Sequence, residues 1–236
     1  NISLEIESNI KLGDLLVRAG RLEHGYEILS HALQLSQLRG TERNLALALC
    51  ALGHAARLMG RYEDSVAHYT NGLKNARKTT DKQLIGRALS GVAGIALSQR
   101  RLSDARRYYA ESLEINKEHA NLYAIAGILH NLAIIARCGG SYSEANAHFL
   151  EALSINRQIG NLLWEANNLS GLGSIANELG RFDEAKQYLE SARDIAIDNE
   201  HRMLVAACEY HLGCVAFATE EYEDAQRHFE KGIEQN

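Results

Sequence analysis

Leu172-Gly173-Ser174-Ile175-Ala176-Asn177-Glu178-Leu179-Gly180-Arg181-Phe182-Asp183-Glu184-Ala185 carries the organisation of the whole chain in one stretch. It sets a branched apolar residue beside a glycine, an alanine three places on, a Gly-Arg turn, an aromatic residue, and a second alanine. Stepping outward by forty residues, the turn returns as Gly20-Arg21-Leu22, Gly60-Arg61-Tyr62, Arg100-Arg101-Leu102, Gly140-Ser141-Tyr142 and Glu220-Glu221-Tyr222, with no insertion or deletion. A fixed period of this size marks a stack of like supersecondary units. Such a stack offers an extended surface rather than one enclosed catalytic pocket.

Before each turn, Leu12-Gly13, Leu52-Gly53, Val92-Ala93, Leu132-Ala133, Leu172-Gly173 and Leu212-Gly213 occupy one register of a first helix. Small residues beside a branched one let a second helix approach closely. After the turn, Gly25, Ser65, Ala105, Ala145, Ala185 and Ala225 precede the larger Leu29, Tyr69, Tyr109, Phe149, Leu189 and Phe229 by four. That spacing is one stripe of a second helix, whose large side chains are expected to join successive units. The reading predicts twelve helices, at 2–19, 22–39, 42–59, 62–79, 82–98, 102–119, 122–138, 142–159, 162–179, 182–199, 202–218 and 222–234. Thr41, Asp81, Asn121 and Asn161 are expected to cap first helices, and Ser103, Ser143 and Asp183 second helices. Gly40 and Gly160 suit left-handed helix stops, and Gly86, Gly91, Gly94 and Gly127 read as close-packing sites.

The 236 residues contain no proline, which favours uninterrupted helices. Cys50, Cys138, Cys208 and Cys214 sit among alanine and leucine and read as reduced core residues. Net charge is −5, which argues against a nucleic-acid partner. It divides unevenly, with +4 on residues 1–120 and −9 on residues 121–236. No apolar run approaches the ~20 residues that span a bilayer, and no leader precedes the first helix, so a soluble cytoplasmic protein without a membrane partner is expected.

The Leu-Gly pair, the Gly-Arg-Tyr/Phe turn and the alanine–aromatic–alanine stripe resemble the tetratricopeptide repeat along essentially the whole chain. The proline usual near the end of that unit is missing. The resemblance implies an all-α, right-handed superhelical solenoid of six helix-turn-helix repeats, 1–40, 41–80, 81–120, 121–160, 161–200 and 201–236, forming a single array. The forty-residue form is similar to arrays of Pins/LGN-type polarity adaptors and to those of bacterial signal-transduction ATPases and LuxR- or AfsR-type regulators. Residue 236 falls four short of a full sixth unit, with no polar helix after it to cover Phe229 and Ile233. A fragment of a larger protein is expected, with self-association through the uncapped last helix as a further reading.

In the resembled family the first helices line a concave groove. Its positions carried onto this chain give His54, Arg57, Arg87, His130, Asn131, Arg137, Asn167, Ser174 and Asn177, with Ile10, Asp14, Arg18, Ser170 and His211 among their neighbours. Asparagine can pair with a peptide's N–H and C=O, and arginine forks suit carboxylates. The expected partner is therefore a protein or an extended, acidic peptide along repeats two to five. The alternative is a sensory array that binds an effector or restrains a neighbouring catalytic or DNA-binding domain. His68, His148 and His228 share one register with Tyr108 and Tyr188 and read as a packing slot. No zinc-ligand spacing or phosphate loop occurs, so neither enzyme activity nor a metal or cofactor is expected.

Overall fold

The computed structural model describes residues 2–235, which form α-helices joined by short turns, with no strand among the described residues. The helices are α1 (Ile2–Arg18), α2 (Leu22–Arg39), α3 (Glu42–Leu58), α4 (Tyr62–Ala76), α5 (Lys82–Ser98), α6 (Leu102–Glu118), α7 (Leu122–Cys138), α8 (Tyr142–Gln158), α9 (Leu162–Glu178), α10 (Phe182–Asp198), α11 (Arg202–Ala218) and α12 (Tyr222–Glu234). Consecutive helices pair as hairpins, and the hairpins fall into two compact units, Asn1–Ala120 with α1–α6 and Asn121–Asn236 with α7–α12. The division coincides with the change of charge from +4 to −9 along the sequence.

Each hairpin turn is built from backbone hydrogen bonds. One residue takes a positive φ, as at Gly60 (73°) and Gly180 (71°), and the next N–H reaches back five residues. Arg61 N–H donates to the Ala56 carbonyl at 2.8 Å and Arg181 N–H to that of Ala176 at 2.8 Å. This is the Schellman closure, which satisfies carbonyls left over at a helix end. The second helices therefore start on Arg21, Arg61, Arg101, Ser141, Arg181 and Glu221 with no side-chain cap. Ser103, Ser143 and Asp183 lie inside the first turn, so the expected capping role is corrected. First-helix caps stand as read: Thr41, Asp81, Asn121 and Asn161 accept from the N–H three residues on. His201 Nδ1 does the same for Leu204, a cap the sequence reading missed.

Two other expectations change. Gly160 has φ of +68°, but Gly40 is extended at φ −90°. Glycine is used there because a Cβ would stand 2.6 Å from Ser36 Cα. Helix α4 stops at Ala76 rather than at 79, because Thr79 turns its hydroxyl back to the Ala76 carbonyl at 2.7 Å and accepts from Asp81 N–H.

Packing in both units follows the small–large code. A Cβ on Gly173 would lie 2.6 Å from Leu189 Cγ and 3.1 Å from the Ala185 carbonyl, so α9 and α10 meet nearly backbone to backbone. The large stripe residues also join hairpins: Tyr69 of α4 lies across Gly53 of α3 and Gly91 of α5, and Phe149 of α8 lies against Gly171 of α9. Core clusters consequently run from hairpin to hairpin, Ile6 to Ala55 and Ala46 to Ile95 in the first unit, Ala133 to Cys208 in the second. Gly127 departs from the expectation, with nothing within 4 Å of a Cβ placed there. Cys50 and Cys208 are buried thiols, whereas Cys214 is half-buried and Cys138 is exposed on the last turn of α7, not in the core.

Candidate functional site

In the first unit, side chains from the first helices of three hairpins meet around one carboxylate. Asp14 on α1 accepts from Arg18 Nη2 at 3.0 Å, one turn along the same helix. From α5, Arg87 Nη2 reaches the other Asp14 oxygen at 3.4 Å. Helix α3, between them, contributes His54 and Arg57. Arg57 is exposed and makes no ion pair with any described residue. Burial of the ring, then the charge of Arg57, hold the His54 pKa below its usual value, while Asp14 works the other way. Beneath lie Tyr69 and Tyr109, 7% and 4% exposed. Burial pushes Tyr69 up to about 12 and Tyr109 well above its ordinary range, so both remain protonated donors.

The second unit arranges its polar residues differently. Arg137 Nη1 donates to Ser174 Oγ at 2.9 Å and pairs with Glu178 at 3.1 Å, so its charge is already answered. The same Glu178 raises the pKa of the Tyr142 phenol. Asn131 and Asn167 each donate to a carbonyl four residues back, of Gly127 and Leu163, both at 2.8 Å. Each keeps its carbonyl oxygen open to an N–H from outside. Asn177 has its Oδ1 buried without a hydrogen-bond partner.

His130 is half-buried and engaged. Its Nδ1 donates to Asn168 Oδ1 at 2.9 Å, and its ring stands edge-on to Phe149 and Trp164, with centroids 5.4 and 5.0 Å away. Burial lowers its pKa, with the Asn168 bond opposing. The same register holds Ile10, Cys50 and Ser170, all buried. At these copies the position faces the packing between hairpins, whereas Tyr210 in the last hairpin is exposed, so the structure places Ile10, His130 and Ser170 in or beside the core instead of on an open face. Small or apolar residues at most of its copies were the available signal.

Of the residues named from sequence, His54, Arg57 and Arg87 come together in one unit, and Arg137 and Ser174 in the other. The reading missed Glu178 as the partner of Arg137. It also missed Glu209, a buried carboxylate that accepts from His228 Nδ1 at 2.6 Å and lies 3.7 Å from Arg193. A lone Glu within the apolar run of α11 was the clue. His228 fills a packing slot, as does His68, hydrogen-bonded to Tyr26 Oη at 3.1 Å. Among the described residues, no group of three or more His, Cys, Asp or Glu could hold a metal. Among the same residues, no helix is long and apolar enough to cross a membrane.

No curated protein sequence matches this chain. Solved structures resemble it in fold. The apo form of RapI is 16% identical over 98% of this chain and 97% of its own, with a TM-score of 0.75. A Rap protein complexed with competence and sporulation factor is 14% identical over 99% of this chain and 77% of its own, at 0.74. A signal-transduction ATPase with a tetratricopeptide repeat sensor, from Pyrococcus horikoshii, is 16% identical over 99% of this chain but only 37% of its own, at 0.75. The tetratricopeptide repeat profile matches residues 4–78, 44–118, 84–158, 124–198 and 164–235, in overlapping windows one repeat apart. With helical hairpins recurring every forty residues and closing on the same turn, this chain belongs to the tetratricopeptide repeat family.

Proposed function

We propose that this chain is a protein- or peptide-binding scaffold whose first helices hold an extended acidic segment. The observation that carries the reading is Asp14, an internal carboxylate already gripped by Arg18 and Arg87 beside the unpaired Arg57. These side chains recognise a carboxylate within the chain, and Arg57 retains its full donor fork for another. In the second unit, Asn131 and Asn167 offer carbonyl oxygens suited to backbone N–H groups. The family is generally an interaction scaffold without catalysis, which supports a non-enzymatic role. Titrating the whole chain with acidic and charge-neutral peptides tests the reading. Arg57→Ala and Arg87→Ala should each weaken the acidic peptide about tenfold or more, and unchanged affinity in both would end it.

A second reading is a sensory array within a larger regulator, where it binds an effector or restrains a neighbouring domain. Its support is the likeness to the sensor-bearing ATPase, of which a chain this long spans 37%. The same peptide titrations separate the two, since an effector-only sensor would bind none of them.

A further inference from the structure

We infer that the cluster in the first unit is a binding site for a dianionic phosphoryl group, with Asp14 acting as a resident counter-ion that the ligand displaces from Arg87. The inference rests on the acidic-segment reading above and narrows it to one subsite and one ligand chemistry. Charge gives the first argument. Arg18 and Arg87 both bind Asp14, and Arg57 acts with them on the His54 ring, so three guanidinium groups surround a site where Asp14 supplies a single carboxylate. The cluster carries a net charge of about +2, which a phosphoryl group of about −2 balances and a carboxylate does not. Glu7, the next acid along α1, is turned to Arg43 at 3.9 Å and does not make up the difference.

Geometry gives the second. Arg18 holds Asp14 at 3.0 Å within one helix, whereas the bond from Arg87, 73 residues away, is long at 3.4 Å. The bond to Arg87 is the one an incoming anion exchanges with least loss. Its release frees the Arg87 fork on α5, which joins the already unpaired Arg57 fork on α3 in facing the terminal oxygens of one phosphoryl group.

Two buried phenols give the third. Tyr69 and Tyr109 are more than nine-tenths buried, yet neither hydroxyl bonds to a described residue, and the charged groups that act on them are Arg57 and, for Tyr69, Arg87 and Asp14. Gly94 leaves the way open, because the Tyr109 hydroxyl lies 3.4 Å from where a Cβ would stand. Neither hydroxyl is itself sealed from solvent, the buried unpartnered side-chain atoms among the described residues being Asn44 Nδ2 and Asn177 Oδ1, so each can donate to an acceptor that arrives beside it. In the second unit the groove arginine read from sequence, Arg137, is closed by Glu178, and position 174, the counterpart of Asp14, is serine.

The test uses the whole chain with four probes: inorganic phosphate, an acidic peptide, the same peptide carrying one phosphoserine, and a charge-neutral peptide. Calorimetry should show the phosphopeptide binding about tenfold or more tighter than its unmodified form. Asp14→Asn, which removes the resident competitor, should tighten phosphate and phosphopeptide several-fold. Arg57→Gln should weaken both about tenfold, and because Arg57 is exposed and unpaired its folding is checked simply by circular dichroism. His54 supplies an independent readout by NMR, since its imidazole titration should move upward when phosphate binds. Phosphate binding nearly as well as the phosphopeptide identifies a small phosphorylated ligand, while a marked phosphopeptide advantage identifies a modified segment, and both uphold the site. Weaker or unchanged binding by Asp14→Asn, or a His54 titration unmoved by saturating phosphate, overturns it. Equal affinity for the two acidic peptides also overturns this inference while leaving the scaffold reading intact, whereas loss of all peptide binding removes both.

Discussion

At the residue scale, the turns are the least uniform part of an otherwise regular repeat. The position with left-handed backbone is glycine at 20, 60, 140, 160 and 180, but Arg100, Ala120, Glu200 and Glu220 adopt it with φ of 61°, 49°, 53° and 64°. A side chain in that region costs about 1–2 kcal/mol, partly offset in glycine by its greater freedom when unfolded. Arg100→Gly and Glu220→Gly should therefore each stabilise the protein by about 0.5–1 kcal/mol, read as a higher denaturant midpoint with unchanged slope. Gly60→Ala should shift the midpoint the other way. The place of these turns was legible because Gly-Arg recurs at forty, even where Arg or Glu replaces the glycine. The lack of a cap at Ser103 and Ser143 was not, because a closing bond from the preceding helix had already set the chain's direction before the serine is reached.

At the scale of the element, helix contacts depend on which glycines have neighbours. Gly171 and Gly173 sit in the same turn of α9 and serve two partners, Phe149 of the preceding hairpin and Leu189 of their own. A Cβ at Gly171 would stand 2.5 Å from Phe149 Cζ and one at Gly173 2.6 Å from Leu189 Cγ. Gly173→Ala should cost about 1–3 kcal/mol through overpacking. Gly127→Ala, with open space around its Cβ, should instead gain up to about 1 kcal/mol from helix propensity. Thermal unfolding of both variants checks the pair, and destabilisation by both would mean that Gly127 has a neighbour after all. Gly127 was grouped with the close-packing glycines because it stands inside an apolar helical run, although it lies outside the Leu-Gly register to which Gly173 belongs and shares its register with Arg87 and Asn167. Likewise His130, Asn131 and Arg137 share one helix, and spacing alone did not show that His130 turns to Phe149 and Trp164 while Asn131 keeps an open carbonyl.

For the whole molecule, half-buried histidines tie stability to pH. His54, His68, His130 and His211 all have pKa values lowered from 6.5, in each case first by burial. The unfolded chain binds protons at these sites before the folded one does. Their contribution is therefore fully present above about pH 6.5 and is lost as pH falls below it toward the folded values. Urea unfolding should give a flat stability between pH 7 and 8 and a clear decline from 6.5 to 5, before carboxylate protonation begins. A profile level down to pH 5 would show that these rings are more hydrated than their packing indicates.

Period, helix positions and first-helix caps were determined by the sequence itself, because each depends on residues within a few places of one another along the chain. Only tertiary structure decided which polar residues remain free to meet a ligand. Arg57 and Arg137 are alike in sequence, three places on from His54 and from Ile134 in the same register. One stands unpaired beside a shared Asp14, and the other is neutralised by Glu178 from the next hairpin. Partners separated by tens of residues, such as Arg87 and Asp14, meet through the stacking of hairpins. Charge balance at a site is a sum over such neighbours, which no local pattern contains.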